Sequence, residues 1–388
     1  MIEKKTIKKN LEEISFPRIY GSKAEKKAYN IIKSKIEKLG LNPSTQKFEF
    51  TRFYSIYYPK IMFLLIFWLF VIFYLNIGNL FQDINLIILI SLFLFFYLIT
   101  RYPDKIKIGK KFSSQNLHTE IAVDIDRNLQ KLKRKVILLA HIDSKSQKYN
   151  VVNRVRSYIF WAYTALILVI FLVFKNLIFT NYELFFYLLT AFPLGLHFVA
   201  VLFILNNKNE NKSQGALDNA SGVVILLALM KYFLKEKLKS MDLQFVFTGA
   251  EECGTNGVRN FFNSLNIKNV DKNRFTILNF DCIGTDLDFI KHGLDSHKKY
   301  QYQKIFHQKA KNYGLLINER NVPFGSHSDG YFFFKQGFKG IEFGDWKSYR
   351  YVHSEQDTLD KVNPHLLKLA CRIVIDSLRA IDKIEGKN

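Results

Sequence analysis

Four long apolar stretches constrain the fold of this chain more than any other feature of its sequence. They run approximately over Pro59–Leu75, Ile84–Thr100, Ser157–Phe174 and Leu184–Leu205. Apart from Lys60 near the start of the first stretch, they contain no lysine, arginine, aspartate or glutamate. Each is close to the length that an α-helix needs to cross a bilayer. Soluble cores rarely contain four such stretches in two close pairs, so we predict two transmembrane helical hairpins.

The distribution of basic residues predicts the side of the membrane on which the polar segments lie. The chain has a net charge of +22, with 56 lysine and arginine residues against 34 acidic ones. The loops inside the two hairpins, about 76–83 and 175–183, contain only one of these cations, Lys175. Because cytoplasmic segments carry an excess of lysine and arginine, the three other polar segments are expected in the cytoplasm. We therefore expect an integral, multi-pass membrane protein with the lipid bilayer as a partner.

Composition excludes several other classes of protein. An apolar share of 48%, with 37 phenylalanines, is too high for a disordered chain. The three cysteines have no metal-finger spacing, and a disulfide framework is not expected. The lysine-rich N-terminus does not resemble a signal peptide. No helix-turn-helix, zinc-finger or aromatic RNA-binding pattern accompanies the positive charge, so we expect no nucleic-acid partner. The sequence makes no prediction of oligomeric state.

The polar segments alternate between strand and helix patterns. Ser22–Glu25 forms a capping box that opens a helix, and Gly40 ends it. Strand patterns occur at Phe48–Phe50, Ile121–Val123, Val136–Leu139, Leu243–Phe247, Thr276–Asn279 and Gly340–Phe343, and helix patterns at Val223–Phe233 and about His365–Lys383. Such alternation is typical of an α/β fold with a mostly parallel mixed sheet flanked by helices.

The predicted organisation is one α/β domain interrupted by the two hairpins. Because each hairpin contributes an even number of spans, the three parts of this domain are expected on one side of the membrane and can meet in one site. The predicted ranges are 1–56, 101–156 and 207–388 for the domain, with 57–100 and 157–206 for the hairpins.

Histidine and acidic residues follow several predicted strands, where the ligands of an α/β sheet are expected. Burying isolated carboxylates is costly unless they are paired or bind metal. Several of them at neighbouring strand ends would repel one another without a cation. In chain order the candidate residues are His141, Asp143, Asp218, Glu251, Glu252, Asp281 and His353, of which Asp218 precedes the predicted helix and does not follow a strand. A catalytic site that holds two metal ions explains all of them together.

Mixed histidine and carboxylate ligands favour Zn²⁺, with Mn²⁺ or Co²⁺ as alternatives. A two-metal site needs a bridging carboxylate and about two further ligands for each ion. The five candidates that meet this count are His141, Asp218, Glu252, Asp281 and His353. Glu251 then remains to transfer protons. Asp143 is placed to orient the imidazole of His141.

These stretches together resemble the M28 family of metallopeptidases, the di-zinc aminopeptidases. The matching stretches are Ala140–Ser144, Ala216–Gly222, Thr248–Gly254, Asn279–Gly284 and Tyr351–Thr358. In addition, Ser328–Phe333 followed by Gly337 resembles the substrate-side loop of the family, and Arg18–Ser22 resembles its opening. The resemblance implies a zinc-dependent exopeptidase that acts on peptide substrates. We expect an aminopeptidase, although the family contains both aminopeptidases and carboxypeptidases.

The resemblance also implies a role for each ligand. Asp218 would bridge two Zn²⁺ ions. His141 and Asp281 would complete the coordination of one ion, and Glu252 and His353 that of the other.

The implied mechanism depends on two further carboxylates. Glu251 would act as the general base, taking a proton from a metal-bridging water and delivering it to the leaving amine. Asp143 would hold His141. In ordinary family members only a short segment separates the His-x-Asp motif from the bridging aspartate, whereas a predicted hairpin separates them here. The insertion is therefore expected to place the active site near the membrane surface.

Two other functions are compatible with parts of the pattern. Glutaminyl cyclases resemble the same family, and His141–Lys145 is similar to their motif. The stretches around Asp218 and Glu251, Asp218–Gly222 and Gly249–Gly254, resemble those of peptidases more than those of cyclases. A basic membrane protein is also compatible with a non-catalytic scaffold or receptor, although a degenerate site would be expected to lack a ligand or Glu251.

Overall fold

An eight-stranded mixed sheet joins strands from all three polar segments in this computed structural model. The strands in chain order are β1 (Ser44–Thr51), β2 (Lys111–Ile121), β3 (Arg134–His141), β4 (Ser146–Gln147), β5 (Asn209–Glu210), β6 (Met241–Thr248), β7 (Phe275–Phe280), β8 (Asp288–His292), β9 (Asn318–Val322) and β10 (Lys339–Gly344). The two-residue strands β4 and β5 are not part of this sheet, whose order is β1-β2-β6-β3-β7-β10-β8-β9. Four neighbouring pairs are parallel, whereas β2–β6 and β10–β8 are antiparallel. The predicted mostly parallel α/β fold is confirmed.

The structure describes residues 2–75, 79–100, 106–123, 134–178, 183–265, 271–292, 300–322 and 327–386. The chain divides into two units. Unit 1 comprises Met1–Glu49, Phe112–Ser146 and Glu210–Asn388, and unit 2 comprises Phe50–Lys111 and Gln147–Asn209. The hairpin ranges that we predict, 57–100 and 157–206, lie within the two segments of unit 2.

Apolar alternation along the central strands builds a core on each face of the sheet. In β3, Val136 and Leu138 belong to one core, and Ile137 and Leu139 belong to the other. Helices cover both faces of the sheet in unit 1. They are α1 (Lys4–Ile14), α2 (Lys23–Glu37), α7 (Ser221–Lys235), α8 (Asn256–Ser264), α9 (Gln303–Asn312), α10 (Asp329–Lys335) and α11 (Pro364–Glu385). Every residue of β6 and all of β3 after Lys135 are buried, as expected for central strands.

Some elements differ from the sequence patterns. The Ser22 half of the capping box is present, since the Glu25 amide donates a hydrogen bond to Ser22 Oγ at 3.1 Å. The Glu25 carboxylate, however, accepts the Gly21 amide at 2.7 Å and not the Ser22 amide. The strand expected over Ile121–Val123 ends at Ile121, so that prediction is wrong for its last two residues. Here the Val123 amide bonds instead to the carboxylate of Asp242. Helix α1 and strands β8 and β9 have no counterpart among the sequence predictions.

Unit 2 contains four long apolar helices. They are α3 (Tyr58–Leu75), α4 (Asn79–Thr100), α5 (Val151–Val173) and α6 (Glu183–Asn206). Helix α4 begins before the expected end of the first loop at residue 83, because apolar residues already start at Leu80. In α6, His197 contacts the neighbouring helix, with Nδ1 2.9 Å from Thr164 Oγ1 of α5.

Burial distinguishes these four helices from a fifth apolar helix. Among the described residues, five helices are long and apolar enough to cross a membrane, judged by length and composition. The fifth spans Ala216–Lys235 and includes α7, and 78% of its apolar window is buried. For the four helices of unit 2 the share is between 11% and 33%. Helix α7 is therefore a core helix of unit 1, whereas the unit 2 helices expose side chains such as Phe192, which is 77% exposed.

Candidate active site

Three neighbouring parallel strands deliver candidate residues to one edge of the sheet. His141 is the last residue of β3, and in the strand register it pairs with Thr248, the last residue of β6. Glu251 and Glu252 follow β6 in a short helical turn, and Asp281 follows β7. Because β6, β3 and β7 are adjacent and parallel, their carboxyl ends meet at the same edge.

Two loops complete the site. Asp218 lies in a kinked turn between Gly215 and the first residue of α7, and its backbone is not helical. His353 follows the turn Trp346–Arg350 and has a positive φ of 60°. Both side chains are buried among the strand ends, so the structure brings together all five residues that we predict as ligands.

The five residues form two groups of donor atoms that share one carboxylate. In the first group, His141 Nε2 lies 2.9 Å from Asp218 Oδ1 and 3.5 Å from Asp281 Oδ1. In the second, His353 Nε2 lies 3.2 Å from Asp218 Oδ2 and 3.1 Å from Glu252 Oε2. Within each group the donor atoms lie within 4.8 Å of one another. Asp218 therefore directs one oxygen to each group.

The donor set fits zinc by its chemistry and its charge. Each group combines one imidazole nitrogen with two carboxylates, which is a common ligand set for Zn²⁺. Oε1 of Glu252 is buried and has no hydrogen-bond partner among the described residues, so its lone pairs are available to coordinate a metal ion. Burial opposes a charge on His141, yet its contacts with Asp143, Asp218 and Asp281 raise its pKa well above the ordinary value. The carboxylates thus stabilise positive charge at this position.

The same contacts act on the carboxylates. Burial alone would raise the pKa of Asp218, but hydrogen bonds from His141 and His353 hold it well below the ordinary value. Burial and Asp218 act to raise the pKa of Glu252, but His353 and Lys145 lower it on balance. Both side chains are therefore ionised near neutral pH, as metal ligands must be.

Glu251 lies beside the ligands without belonging to either group. Its side chain is 7% exposed, and burial raises its pKa well above the ordinary value. Glu252 and Asp329 add to this increase, while His141 opposes it. A carboxyl group with a raised pKa is suited to taking up and returning a proton.

Asp143 acts mainly on the turn that carries the two glutamates. Its Oδ1 and Oδ2 accept the backbone N–H groups of Glu251 and Glu252, each at 3.0 Å. His141 Nδ1 lies 3.0 Å from the backbone carbonyl oxygen of Asp143 and 3.7 Å from its Oδ1. The residue thus contacts His141 chiefly through its main chain, while its carboxylate fixes the Glu251–Glu252 turn.

Further polar residues around the site were not singled out by sequence reasoning. Asp357 accepts the amides of Leu217 and Asp218 and so links the loop of His353 to that of Asp218. Glu25 accepts the Ala250 amide and links α2 to the Glu251 turn. Asp357 lies within Tyr351–Thr358, one of the stretches that resemble the family. That resemblance indicated this region of the chain but did not indicate that Asp357 bonds to the Asp218 loop.

Two cations also lie close to the ligands. Lys145 Nζ is 2.6 Å from Glu252 Oε2, the oxygen that also contacts His353. Arg18 is fully buried, and burial lowers its pKa to about 10, so it remains protonated at neutral pH. Arg18 and Lys145 are both part of stretches that carry a family resemblance, but nothing in the sequence indicated that their charges lie at the metal ligands.

Comparison with known proteins identifies both a family model and a fold. Residues 196–378 match the model of Peptidase family M28. No curated protein sequence matches the chain significantly. The matched segment contains Asp218, Glu251, Glu252, Asp281 and His353, whereas His141 lies before it.

Solved structures with the same fold include two aminopeptidases and a cyclase. The chain is similar to an aminopeptidase from Aneurinibacillus sp. strain AM-1, with a TM-score of 0.59 and 15% identity over 97% of this chain and 93% of that chain. It is similar to BSAP, a zinc aminopeptidase from Bacillus subtilis, with a TM-score of 0.57 and 14% identity over 98% and 95%. It is also similar to a glutaminyl cyclase from Bacteroides thetaiotaomicron, with a TM-score of 0.55 and 14% identity over 98% of both chains. Aminopeptidases and cyclases thus share this fold, and the choice between them depends on the site.

Proposed function

Because residues 196–378 match the model of Peptidase family M28, we propose that the chain is a membrane-bound, zinc-dependent exopeptidase, most specifically an aminopeptidase. The observation that carries the proposal is the pair of donor groups that share Asp218, with Glu251 beside them. A non-catalytic scaffold has no need for a buried proton-transfer group next to a complete set of ligands. The substrate class is a peptide with a free terminus.

The proposed site holds two zinc ions. His141 and Asp281 would hold one ion, Glu252 and His353 would hold the other, and Asp218 would contribute an oxygen to each. Zinc bound there would supply Lewis-acid activation of water and of the scissile carbonyl group.

Glu251 would transfer the proton in this reaction. Its carboxylate accepts a proton from the attacking water as the new C–O bond forms. The same carboxyl group then returns the proton to the nitrogen of the leaving amine as the C–N bond breaks. Asp143 assists by holding the backbone of the turn, so that Glu251 and Glu252 keep a fixed orientation.

We propose that unit 2 anchors the enzyme in a bilayer. The low burial of its four apolar helices and the excess of lysine and arginine outside the hairpins support this proposal. By the same charge distribution, the catalytic domain would face the cytoplasm.

Digestion of a peptide library, followed by mass analysis of the products, tests the proposed function. An aminopeptidase releases single residues from the N-terminus, whereas a carboxypeptidase releases them from the C-terminus. The assay is performed on the full chain in detergent and in liposomes, with the zinc content measured on the same sample. Zinc-loaded protein without hydrolysis of any peptide would contradict the proposal, and an intact protein that binds no metal would favour a scaffold.

Substitution of Glu251 tests the proton-transfer role. Glu251→Gln removes the proton acceptor but keeps the shape of the side chain, so activity is expected to fall roughly 10²- to 10⁴-fold with the zinc content unchanged. Glu236→Gln is a matched control, because Glu236 is exposed and its carboxylate forms a surface ion pair with Arg379, at 2.9 Å, outside the candidate site. Full activity in Glu251→Gln would rule out this role.

Cyclisation of N-terminal glutamine is the second candidate function. Two observations favour it over other reactions on this fold: the similarity in structure to glutaminyl cyclases, and Lys145 within the stretch that resembles their motif. A substrate with N-terminal glutamine separates the two activities, since a peptidase releases free glutamine and a cyclase forms pyroglutamate. Formation of pyroglutamate without release of an amino acid would replace the first proposal with the second.

A further inference from the structure

Arg18 is the one lysine or arginine among the described residues of unit 1 whose side chain is buried. It lies on the loop between α1 and α2, far in sequence from the residues of the candidate site. A buried guanidinium is costly unless its N–H groups are satisfied and its charge is offset. The contacts of Arg18 therefore show why unit 1 retains it.

The guanidinium joins two loops that carry candidate ligands. Nε donates a hydrogen bond to the carbonyl oxygen of Ile142 at 2.6 Å, between His141 and Asp143. Nη1 donates to Gln214 O at 2.7 Å, and Nη2 donates to Gly215 O at 2.8 Å, just before Asp218. One rigid, planar group thus spans the loop after β3 and the turn before α7.

The main chain of Arg18 strengthens one side of this bridge. The Ser144 amide donates to Arg18 O at 3.2 Å, and the Arg18 amide donates to Ser144 Oγ at 3.2 Å. The backbone around Arg18 is therefore attached to the loop after His141 independently of its side chain.

Gly215 shows how closely the two loops approach the guanidinium. A Cβ atom at this position would lie 2.6 Å from Arg18 Nη1 and 2.5 Å from Ser144 Cβ. Gly215 also has a φ of +62°, which side chains other than glycine rarely adopt. The position thus admits Arg18 because no side chain stands between the loops.

The charge of Arg18 faces the ligands but is not neutralised by a direct ion pair. Asp357, Asp218, Asp143 and Glu252 are the carboxylates whose charges stabilise its protonated form. None of them forms an ion pair with Arg18 within 4 Å in the described part of the chain, and its N–H groups bond to carbonyl oxygens instead. The cation thus makes the electrostatic potential of the acidic site less negative without competing for the oxygens that would bind metal.

We propose that Arg18 is a positioning residue of this site, which sets the spacing of the His141 and Asp218 loops and offsets their negative charge. The inference rests on the proposed function, since it concerns the same zinc site. Arg18 lies outside the segment that the family model matches. The N-terminal segment would therefore help to position the metal ligands.

Zinc release into a chelator tests the proposal in the full chain. Arg18→Lys keeps the charge, but a single ammonium group cannot reproduce the fork that reaches both Ile142 O and Gly215 O. Zinc release is expected to accelerate about 10- to 100-fold, the usual effect of losing an outer contact of a metal site. The kcat for peptide hydrolysis is expected to fall while KM changes little. The reason is that the loops that move carry metal ligands and not substrate-binding residues.

Asp382→Asn is the matched control for a merely structural effect. Asp382 is a buried residue of unit 1 that accepts backbone N–H groups from Lys239 and Ser240, away from the candidate site. It is expected to lower thermal stability while leaving the rate of zinc release unchanged. If Arg18→Lys releases zinc at the wild-type rate, the positioning role is overturned.

Hydrogen exchange of the wild-type chain provides a second test that does not depend on the folding of a variant. On zinc removal, the segments 16–20, 141–146 and 213–218 are expected to lose protection together, because Arg18 joins them. Unchanged protection of 16–20 would overturn the proposal. Wild-type protein that holds zinc but cleaves no peptide refutes only the exopeptidase function, whereas protein that binds no zinc refutes both.

Discussion

Both carboxylate oxygens of Asp143 accept backbone N–H groups, one from Glu251 and one from Glu252. A buried carboxylate in this arrangement stabilises the turn and aligns both glutamates at once. At the scale of single residues, the site is therefore organised by side chains that bond to the backbone of neighbouring loops. Asp143, Asp357 and Arg18 each join two loops in this way.

Asp143→Asn is expected to impair the site without removing any ligand. The amide nitrogen of asparagine would face a backbone N–H donor, so one buried donor would lose its partner at a cost of about 1–3 kcal/mol. We expect zinc affinity and kcat to fall about 10- to 100-fold. Metal analysis and steady-state kinetics measure both. Asp271→Asn, which changes an exposed turn where Asp271 accepts the Asn273 amide, is expected to leave both unchanged.

The half-buried His118 of β2 is expected to contribute to the loss of stability of unit 1 at acidic pH. Burial lowers the pKa of His118, and Glu120 opposes this only partly. Below the ordinary pKa of 6.5, the unfolded chain therefore binds a proton that the folded chain resists, so stability is lost as pH falls through that value.

His118→Phe is expected to reduce the dependence of thermal stability on pH between about 7.5 and 5.5. Phenylalanine keeps the contact with Phe261, whose ring lies 5.5 Å from that of His118. Unfolding temperatures of both proteins across this range measure the effect. An equal loss of stability in the variant and the wild type would contradict the assignment to His118.

At the scale of elements, the approach of α7 to β7 depends on Gly222. A Cβ atom there would lie against the carbonyl oxygen of Phe280 and 2.5 Å from Asn219 Oδ1. Asn219 Nδ2 also donates to Phe280 O at 2.8 Å, so this contact fixes the turn of Asp218 next to the strand that precedes Asp281.

Gly222→Ala is therefore expected to destabilise unit 1 by about 1–3 kcal/mol, the usual cost of overpacking, and to weaken zinc binding. Gly195→Ala is the matched control, because Gly195 also lies in a helix and a Cβ atom there meets nothing within 4 Å. Thermal unfolding and zinc titration of both variants measure the difference. Wild-type zinc affinity in Gly222→Ala would show that the helix and strand can separate without moving Asp218.

The elements that the sequence predicted are those with strong apolar patterns. Val136–Leu139 is a continuous apolar run, Leu243–Phe247 is apolar apart from Gln244, and both lie in central strands. Strand β9, with the sequence Asn-Glu-Arg-Asn-Val, has a single buried residue, since it lies at the edge of the sheet. Its pairing with β8 and not its composition makes it a strand. Edge elements of this kind leave little trace in hydrophobic patterning.

The candidate site was predictable for a related reason. Histidine and acidic residues directly after apolar strands mark a sheet edge, and the motif order then indicated the ligand set. The contacts of Arg18 with Gln214 and Gly215 were not predictable, because they bring together segments that are distant in sequence. Hydrogen bonds to backbone carbonyl groups also carry no sequence signal in the accepting residue.

At the scale of the whole molecule, zinc is expected to contribute to stability as well as to activity. Without a cation, the closely spaced carboxylates of Asp218, Glu252 and Asp281 repel one another, and ligand binding to the native state raises stability by mass action. Removal of zinc by a chelator is expected to abolish hydrolysis and to lower the unfolding temperature. Calorimetry of the full chain in detergent measures this, and added Zn²⁺ but not Mg²⁺ should restore both properties.

Cysteine labelling tests the expected topology of the full chain. The native cysteines Cys253, Cys282 and Cys371 are buried, which provides a low background. Lys38→Cys and Lys304→Cys lie at exposed positions of unit 1 and are expected to react only from the cytoplasmic side. Leu80→Cys, at the 74% exposed start of α4, is expected to react only from the opposite side. Labelling of Lys38→Cys and Lys304→Cys from different sides would contradict the proposed topology.

The position of β3 between β6 and β7 has a consequence for biosynthesis. The ribosome makes Arg134–His141 before the second apolar pair of helices, whereas both neighbouring strands, Met241–Thr248 and Phe275–Phe280, emerge only after that pair. During translation this central strand therefore has both edges unpaired while the intervening helices are delivered to the insertion machinery. Nascent chains stalled in this interval should be the ones most dependent on chaperones.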